Sequence, residues 1–340
     1  MVHSRIITSR KKIAGIIVLI ALLIIAILVA LHLGNHKIPS KQLFSVISNH
    51  MTGSSFPTDG KINTLVWNIR APRIITAVLV GAALSISGLV FQNVFRNPLV
   101  DPYVLGVASG SACGAGFAIV FGFLSVELSS ILFGVLATVI ICVIARHKSS
   151  NATLRLILAG LVISGIFSSI LNLIKVIASD SKLREIIFWL MGGIYASNWG
   201  AVIKVAIVLF PILVIFMLCS WKLNVLSLHE HEAQTLGVNV SFYRLLFILC
   251  ATLLTAVCVS QVGIIAWIGL MIPHMVRLIF GADNRYALIA TVFFGAIFLL
   301  ISDTIARCVI MGEVPISVVT SLLGAPYLIY LICNRTSYAK

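Results

Sequence analysis

Charge is the first thing this sequence lacks. Only 10% of its 340 residues are Asp, Glu, Lys or Arg, and acidic groups are scarcer still, 10 against 24 Lys plus Arg. Soluble domains carry about 25% charged residues, so a soluble enzyme or soluble binding module is excluded. No phosphate-binding loop of the form G-x-x-x-x-G-K-[ST] occurs, and without that cradle the chain is not expected to bind and hydrolyse ATP on its own. The seven cysteines (Cys113, Cys142, Cys219, Cys250, Cys258, Cys308 and Cys333) form no C-x-x-C pair. Scattered in or beside apolar runs, they read as small buried hydrophobes, not metal ligands. Carboxylates inside apolar runs are also few: Asp101 and Asp303, with Glu313 near an end. An ion-coupled secondary transporter usually keeps such groups for its ions, and a membrane enzyme would need a polar catalytic cluster that is not seen here.

What is present is hydrocarbon. Hydrophobic residues make up 60% of the chain, and its mean hydropathy is +1.12. These values describe an all-α polytopic membrane protein with one membrane domain over residues 1–340. The net charge of +14 fits loops facing anionic lipid and calls for no nucleic acid. An apolar run at 13–33, about 21 residues, is long enough for a roughly 30 Å hydrocarbon core. It follows Arg5, Arg10, Lys11 and Lys12 and ends in "HLGNHK", as an uncleaved first helix does. Further spans are expected at about 74–94, 104–122, 126–146, 154–178, 200–220, 242–262, 263–281, 287–306 and 317–333, ten in all. Fourteen of the 24 Lys and Arg then fall on the inner side, which places both termini in the cytoplasm of a cell-membrane protein. Residues 34–64 form an outer loop and residues 222–241 an inner one.

Three features stand out from the apolar background. The stretch 96–116, "RNPLVDPYVLGVASGSACGAG", sets Asn97 before Pro98 and Asp101 before Pro102, and each proline disfavours helix in the residue before it. Gly110 and Gly114 follow as G-x-x-x-G, which lets helices approach closely. A buried re-entrant turn feeding a tightly packed helix is the expectation. Second, Arg70, Arg73 and Arg307 sit at outer helix ends against the positive-inside rule; they have a task of their own there or are anchors that snorkel to the headgroups. Third, the inner loop carries "HEHE" at 229–232. His229 and His231 at i,i+2 do not share a helix face, and no third ligand is evident, so a metal site is not favoured.

The run "RAPRIITAVLVGAALSISGLVFQNVFRNPLVDPYVLGVASGSACGA" resembles the signature of the FecCD-type permeases, the membrane subunits of ABC importers for iron–siderophore complexes, haem and cobalamin. It matches at Arg70, Pro72, Arg73, Gly81, Ser87, Gly88, Gln92, Asn97, Pro98, Leu99, Pro102, Leu105, Gly106 and Gly110. "GLMIPHMVRLIFGADNRYAL" is similar to a second family block at Gly269, Pro273, His274, Arg277, Gly281, Asp283 and Arg285. "SDTIARCVIMGEVPISVVTSLLGAPYLIYLI" is similar to a third, with Ser317 where glycine is frequent and Tyr327 where phenylalanine is usual.

The resemblance implies the type II ABC importer permease architecture. Two copies of the chain would form a homodimer around one pathway, with two cytoplasmic ATPase subunits and an extracytoplasmic substrate-binding protein. No cofactor and no catalytic residue are implied. Arg70, Arg73 and Arg307 would receive carboxylates of the binding protein. His229, Glu230, Glu232, Ala233, Leu236 and Gly237, within about 225–239, would couple to the ATPase. Asn151 and Thr153 fall where the family places its cytoplasmic gate. Pro273, His274 and Arg277 take a structural role with Asn97, Pro98, Asp101, Pro102 and Gly106. The expected cargo is an iron(III)–siderophore-type chelate, with haem or cobalamin as alternatives.

Overall fold

The computed structural model describes residues 9–34, 38–53, 56–145, 152–228, 230–309 and 314–334. Among them no strand occurs. The chain opens with α1 (Ser9–His32), α2 (Ser40–Thr52) and α3 (Gly60–Asn63), and a π-helical stretch, Thr64–Arg70, runs into α4 (Ala71–Phe95). After a short 3-10 turn, Pro102–Leu105, come α5 (Val107–Phe121), α6 (Val126–Ala145), α7 (Ala152–Ile177) and α8 (Asp180–Met191). Then follow α9 (Trp199–Leu218), α10 (Ser220–Leu226), α11 (Glu230–Thr235) and α12 (Val240–Val262). The last three are α13 (Ile268–Phe280), α14 (Asn284–Val309) and α15 (Ile316–Asn334).

Each of the ten expected spans coincides with an apolar helix, but the helices are of two kinds. Among the described residues seven helical stretches are long and apolar enough to cross a membrane: Ser9–His32, Gly60–Phe95, Val126–Ala145, Thr153–Ile177, Trp199–Leu218, Val240–Val262 and Asn284–Cys308. Three are shorter: Val107–Phe121, Ile268–Phe280 and Ile316–Tyr330. At 1.5 Å per residue α13 spans only about 20 Å and α5 about 22 Å, less than a hydrocarbon core of roughly 30 Å. Both begin inside the bundle, where an irregular segment brings the chain to depth.

Helix α4 is the hub. In its most apolar window 83% of residues are buried, against 11% for α1, which presents its side chains outward. The reason is in its residues: Gly81, Ala82, Ala83, Ser85, Ser87 and Gly88 make a thin helix that neighbours can approach without a hydrophobic driving force between them. A Cβ on Gly81 would overlap the Gly295 carbonyl of α14, and one on Gly88 the Gly269 carbonyl of α13. The expected G-x-x-x-G contact has the same form: Gly110 and Gly114 face the Phe133 and Ser129 carbonyls of α6.

Two sequence expectations need correction. The outer loop 34–64 contains α2, and α3 with the π-helical stretch makes one helical run from Gly60 to Phe95, 36 residues long. That helix therefore starts well before residue 74. The second is α8, an amphipathic helix for which no element was expected: Ile186 is buried while Phe188 is 54% exposed. Its polar first turn, Asp180 to Arg184, hides it from a search for apolar runs.

Candidate functional site

The break between α4 and α5 has two parts. Helix α4 ends on Arg96, whose φ of 51° is left-handed. Asn97 Oδ1 then accepts the Leu99 amide at 3.0 Å, and Pro98 is half-buried. Leu99 is 56% exposed, so this first half of the stretch lies at the surface, contrary to the buried turn expected for all of it. From Val100 onward the chain enters the bundle. Asp101 Oδ1 caps the 3-10 turn by accepting the Tyr103 amide at 2.9 Å, Pro102 packs on Gly269, and Gly106 supplies the left-handed φ of 70° from which α5 departs.

A second irregular segment, residues 263–267, meets it. The Tyr103 hydroxyl donates to the Ile265 carbonyl at 2.8 Å and accepts from the Ile265 amide at 3.3 Å. A side chain of the first break thus satisfies exposed backbone of the second, as irregular backbone at membrane depth requires. Trp267, in the left-handed region at φ 76°, turns the chain into α13 and donates its indole N–H to Ser321 of α15 at 3.0 Å. Pro273 is buried inside α13. His274 Nδ1 lies 3.0 Å from the Tyr327 hydroxyl of α15. Arg277 donates to Gln92 Oε1 at 2.6 Å, and Gln92 donates in turn to the Leu270 carbonyl at 3.1 Å. His274 and Arg277 of the P-H block therefore bind α13 to α15 and to α4.

At the end of the bundle that carries residues 34–64, two of the three singled-out arginines hold Asp303 and the third, Arg70, holds the end of α1. Arg73 binds the Asp303 carboxylate through Nε (3.0 Å) and Nη2 (2.9 Å), and Arg307, one turn along α14, reaches it at 3.2 Å. Asp303 is fully buried, and Arg70, Arg73 and Arg307 are 4%, 7% and 7% exposed. Arg70 donates to the Leu31 carbonyl at 2.7 Å, and Arg307 lies 3.5 Å from that of Ala30. Carbonyls at a helix C-terminus have no intrahelical partner, so these two guanidiniums cap α1 and fasten it to α4 and α14. An internal role for the arginines is thus visible whatever else they bind.

At the opposite end, α10 is tied down by a polar chain. Asn224 donates to Asp283 Oδ1 at 3.0 Å and accepts the Asn284 amide at 2.9 Å. Asn284 Oδ1 accepts from Asn93 of α4 at 2.9 Å, and Arg96 donates to the Leu226 carbonyl at 3.0 Å. Partial burial works against ionisation of Asp283, yet the hydrogen bonds from Arg285 and Asn224 together hold its carboxyl below the usual 3.8. Beyond α10, α11 spans Glu230 to Thr235; Ala233 is fully buried, Glu232 is exposed and Leu236 is 50% exposed. Gly237, at φ 73°, reverses the chain. His229 and Asn151 lie outside the described residues. Thr153 is half-buried in the first turn of α7.

Tyr103, Asn224 and the segment 263–267 were not foreseen as site residues. Asp303 stood out in the sequence only as a carboxylate in an apolar run and Gln92 only as a motif position; neither was expected at a site, and the partners of both were not foreseen. Among the described residues no group of His, Cys, Asp or Glu could hold a metal ion.

Comparison with known proteins matches this arrangement. Residues 22–334 match the FecCD transport family. The molybdate import system permease protein MolB of Haemophilus influenzae is 39% identical over 311 residues, 90% of this chain and 91% of that protein. The hemin transport system permease protein HmuU of Yersinia pestis is 36% identical over 280 residues, 79% and 84% of the two chains. Among solved structures, an inward-facing conformation of a putative metal-chelate type ABC transporter is similar at TM-score 0.84 and 36% identity, covering 94% of this chain and 98% of that one. With a hub helix, paired breaks and family blocks running the length of the chain, this protein belongs to the FecCD transport family, the multi-pass membrane permeases of ABC importers.

Proposed function

We propose that this permease carries an iron(III)–siderophore-type chelate across the cytoplasmic membrane by alternating access, as a homodimer with both termini in the cytoplasm. The observation that supports the cargo best is the likeness to a putative metal-chelate type transporter over nearly the whole chain. The pathway would be formed where α7 and α15 keep broad apolar faces uncovered, as at Leu161, Leu173 and Leu322. An apolar wall holds a bulky chelate weakly and lets it slide, so selectivity would reside in the substrate-binding partner. ATP hydrolysis would come from a separate subunit seated on residues 225–239, where Leu228 and Leu236 are 40% and 50% exposed. A second reading, a molybdate-type oxyanion, is favoured by the 39% identical relative.

The binding protein would dock at the end that carries Arg70, Arg73 and Arg307. Its carboxylates would exchange with Asp303 for the guanidiniums, which pair with carboxylates bidentately. Reconstitution with the ATPase and binding protein in proteoliposomes tests the reading. ATP should drive uptake of a ferric chelate in preference to haem, cobalamin and molybdate. Uptake driven by an ion gradient without the ATPase would overturn it. Neutralising the carboxylates of the binding protein's docking face should abolish delivery while basal ATP hydrolysis persists.

A further inference from the structure

The short helices of the 222–241 segment can work on the bundle only if something rigid joins them to it. The backbone leading out of α9 and into α12 is one route. The polar chain at the base of α10 is another, and it reaches the hub directly. Asn224 occupies its centre. One side-chain amide holds two different partners: its N–H donates to the Asp283 carboxylate, and its carbonyl accepts the backbone N–H of Asn284, the first residue of α14. Asn284 is 1% exposed and passes the contact on to Asn93 of α4, itself 8% exposed, which also donates to the Leu89 carbonyl at 2.9 Å. The main contacts of α10 are accordingly with α14 and α4.

We infer that Asn224 is a positioning residue for energy coupling: through Asp283, Asn284 and Asn93 it delivers displacement of α10 and α11 to α14 and the hub helix α4. The inference rests on the reading of residues 225–239 as the ATPase-coupling segment. Two properties suit the chain to this task. It is made of short side chains, so it has little slack; a buried network of this kind is stiff when satisfied. It is also one partner short, because Asn284 Nδ2 is buried without a hydrogen-bond partner among the described residues. Orphaned buried donors are rare in native proteins, and one at this joint gives a second arrangement of the network a bond to gain. A two-state element of that sort is what a coupling device needs.

The test uses the reconstituted permease with its ATPase and binding protein, and reads substrate transported per ATP hydrolysed. Asn224→Asp sets two carboxylates against each other and should lower that ratio about tenfold, the scale of one charge-assisted hydrogen bond, while the ATPase still co-purifies. Asn224→Asp combined with Asp283→Asn exchanges donor and acceptor between the two side chains, at the cost of the carboxylate that Asp283 offers Arg285, and should recover most of the ratio. Melting temperatures of the variants keep folding separate from coupling. An unchanged ratio in Asn224→Asp overturns the inference, as does a double variant that melts like the wild type and stays uncoupled. Deletion of 228–238 tests the underlying reading separately: retained ATPase binding there removes the coupling segment, whereas an intact coupling segment with an indifferent Asn224 removes only this relay.

Discussion

Replacing Tyr103 with Phe removes one oxygen atom from a contact that serves two backbone groups. The Ile265 carbonyl and amide lie 2.8 and 3.3 Å from that hydroxyl, and Ile265 is 1% exposed. Each buried group left unsatisfied costs about 1–3 kcal/mol. The phenol's own burial cost, no longer incurred, offsets part of this. The net expectation is a loss of about 2–4 kcal/mol, large for one atom. Titration of the purified protein in mixed micelles with a denaturing detergent, followed by circular dichroism, measures it. Tyr243→Phe is the matched control, since the contacts of Tyr243 are with the rings of Phe242 and Phe247 and with Lys222; its cost should stay within about 0.5 kcal/mol. A double cycle with Gly269→Ala should show coupling of about 0.5–3 kcal/mol, because Pro102 packs on Gly269. If Tyr103→Phe lies within about 0.5 kcal/mol of the wild type, water replaces the hydroxyl and the two breaks do not depend on each other.

Three further outcomes follow from the packing and the charges. Gly88→Ala should lower the melting temperature, because its Cβ meets backbone, the Gly269 carbonyl, and overpacking costs about 1–3 kcal/mol; Gly165→Ala, with no neighbour within 4 Å among the described residues, should be neutral or slightly stabilising in the same melt. Asp303→Asn should cost about 3–5 kcal/mol by leaving Arg73 and Arg307 without their carboxylate, read as a lowered detergent-unfolding midpoint. For Asp283 the folded carboxyl titrates below its ordinary 3.8, so its contribution is complete above that value and disappears as pH falls through the lower folded value. Melting curves between pH 6 and pH 3 should show a component in that acid window that Asp283→Asn abolishes.

The apolar helices were legible in the sequence because each run is long and the bilayer sets its length. The family blocks carried the hub helix and the paired prolines. What was not legible has a common cause. Asp303 stands 230 residues from Arg73 and Gln92 lies 178 from Leu270, and nothing local to either marks the partner. Tyr103 looks like an ordinary aromatic after a proline until Ile265 is brought against it. The arginines show a different gap. Their charge at helix ends suggested docking residues or lipid anchors and gave no sign that the side chains also turn inward, on a carboxylate and on the end of α1. Helix α8 escaped for a plainer reason, its polar first turn.

The pairing of the two breaks bears on how the chain is made. Tyr103 and Ile265 are 162 residues apart, so for about 8–30 s at ordinary synthesis rates of about 5–20 residues per second the first break exists without the second. During that interval the amino-terminal helices are in the membrane with an irregular segment whose partner has not left the ribosome. Newly inserted chains should therefore be at their most vulnerable to membrane proteases and quality control between emergence of α5 and of α13, and synonymous changes that slow translation across that stretch should lower the yield of folded permease without altering a single residue.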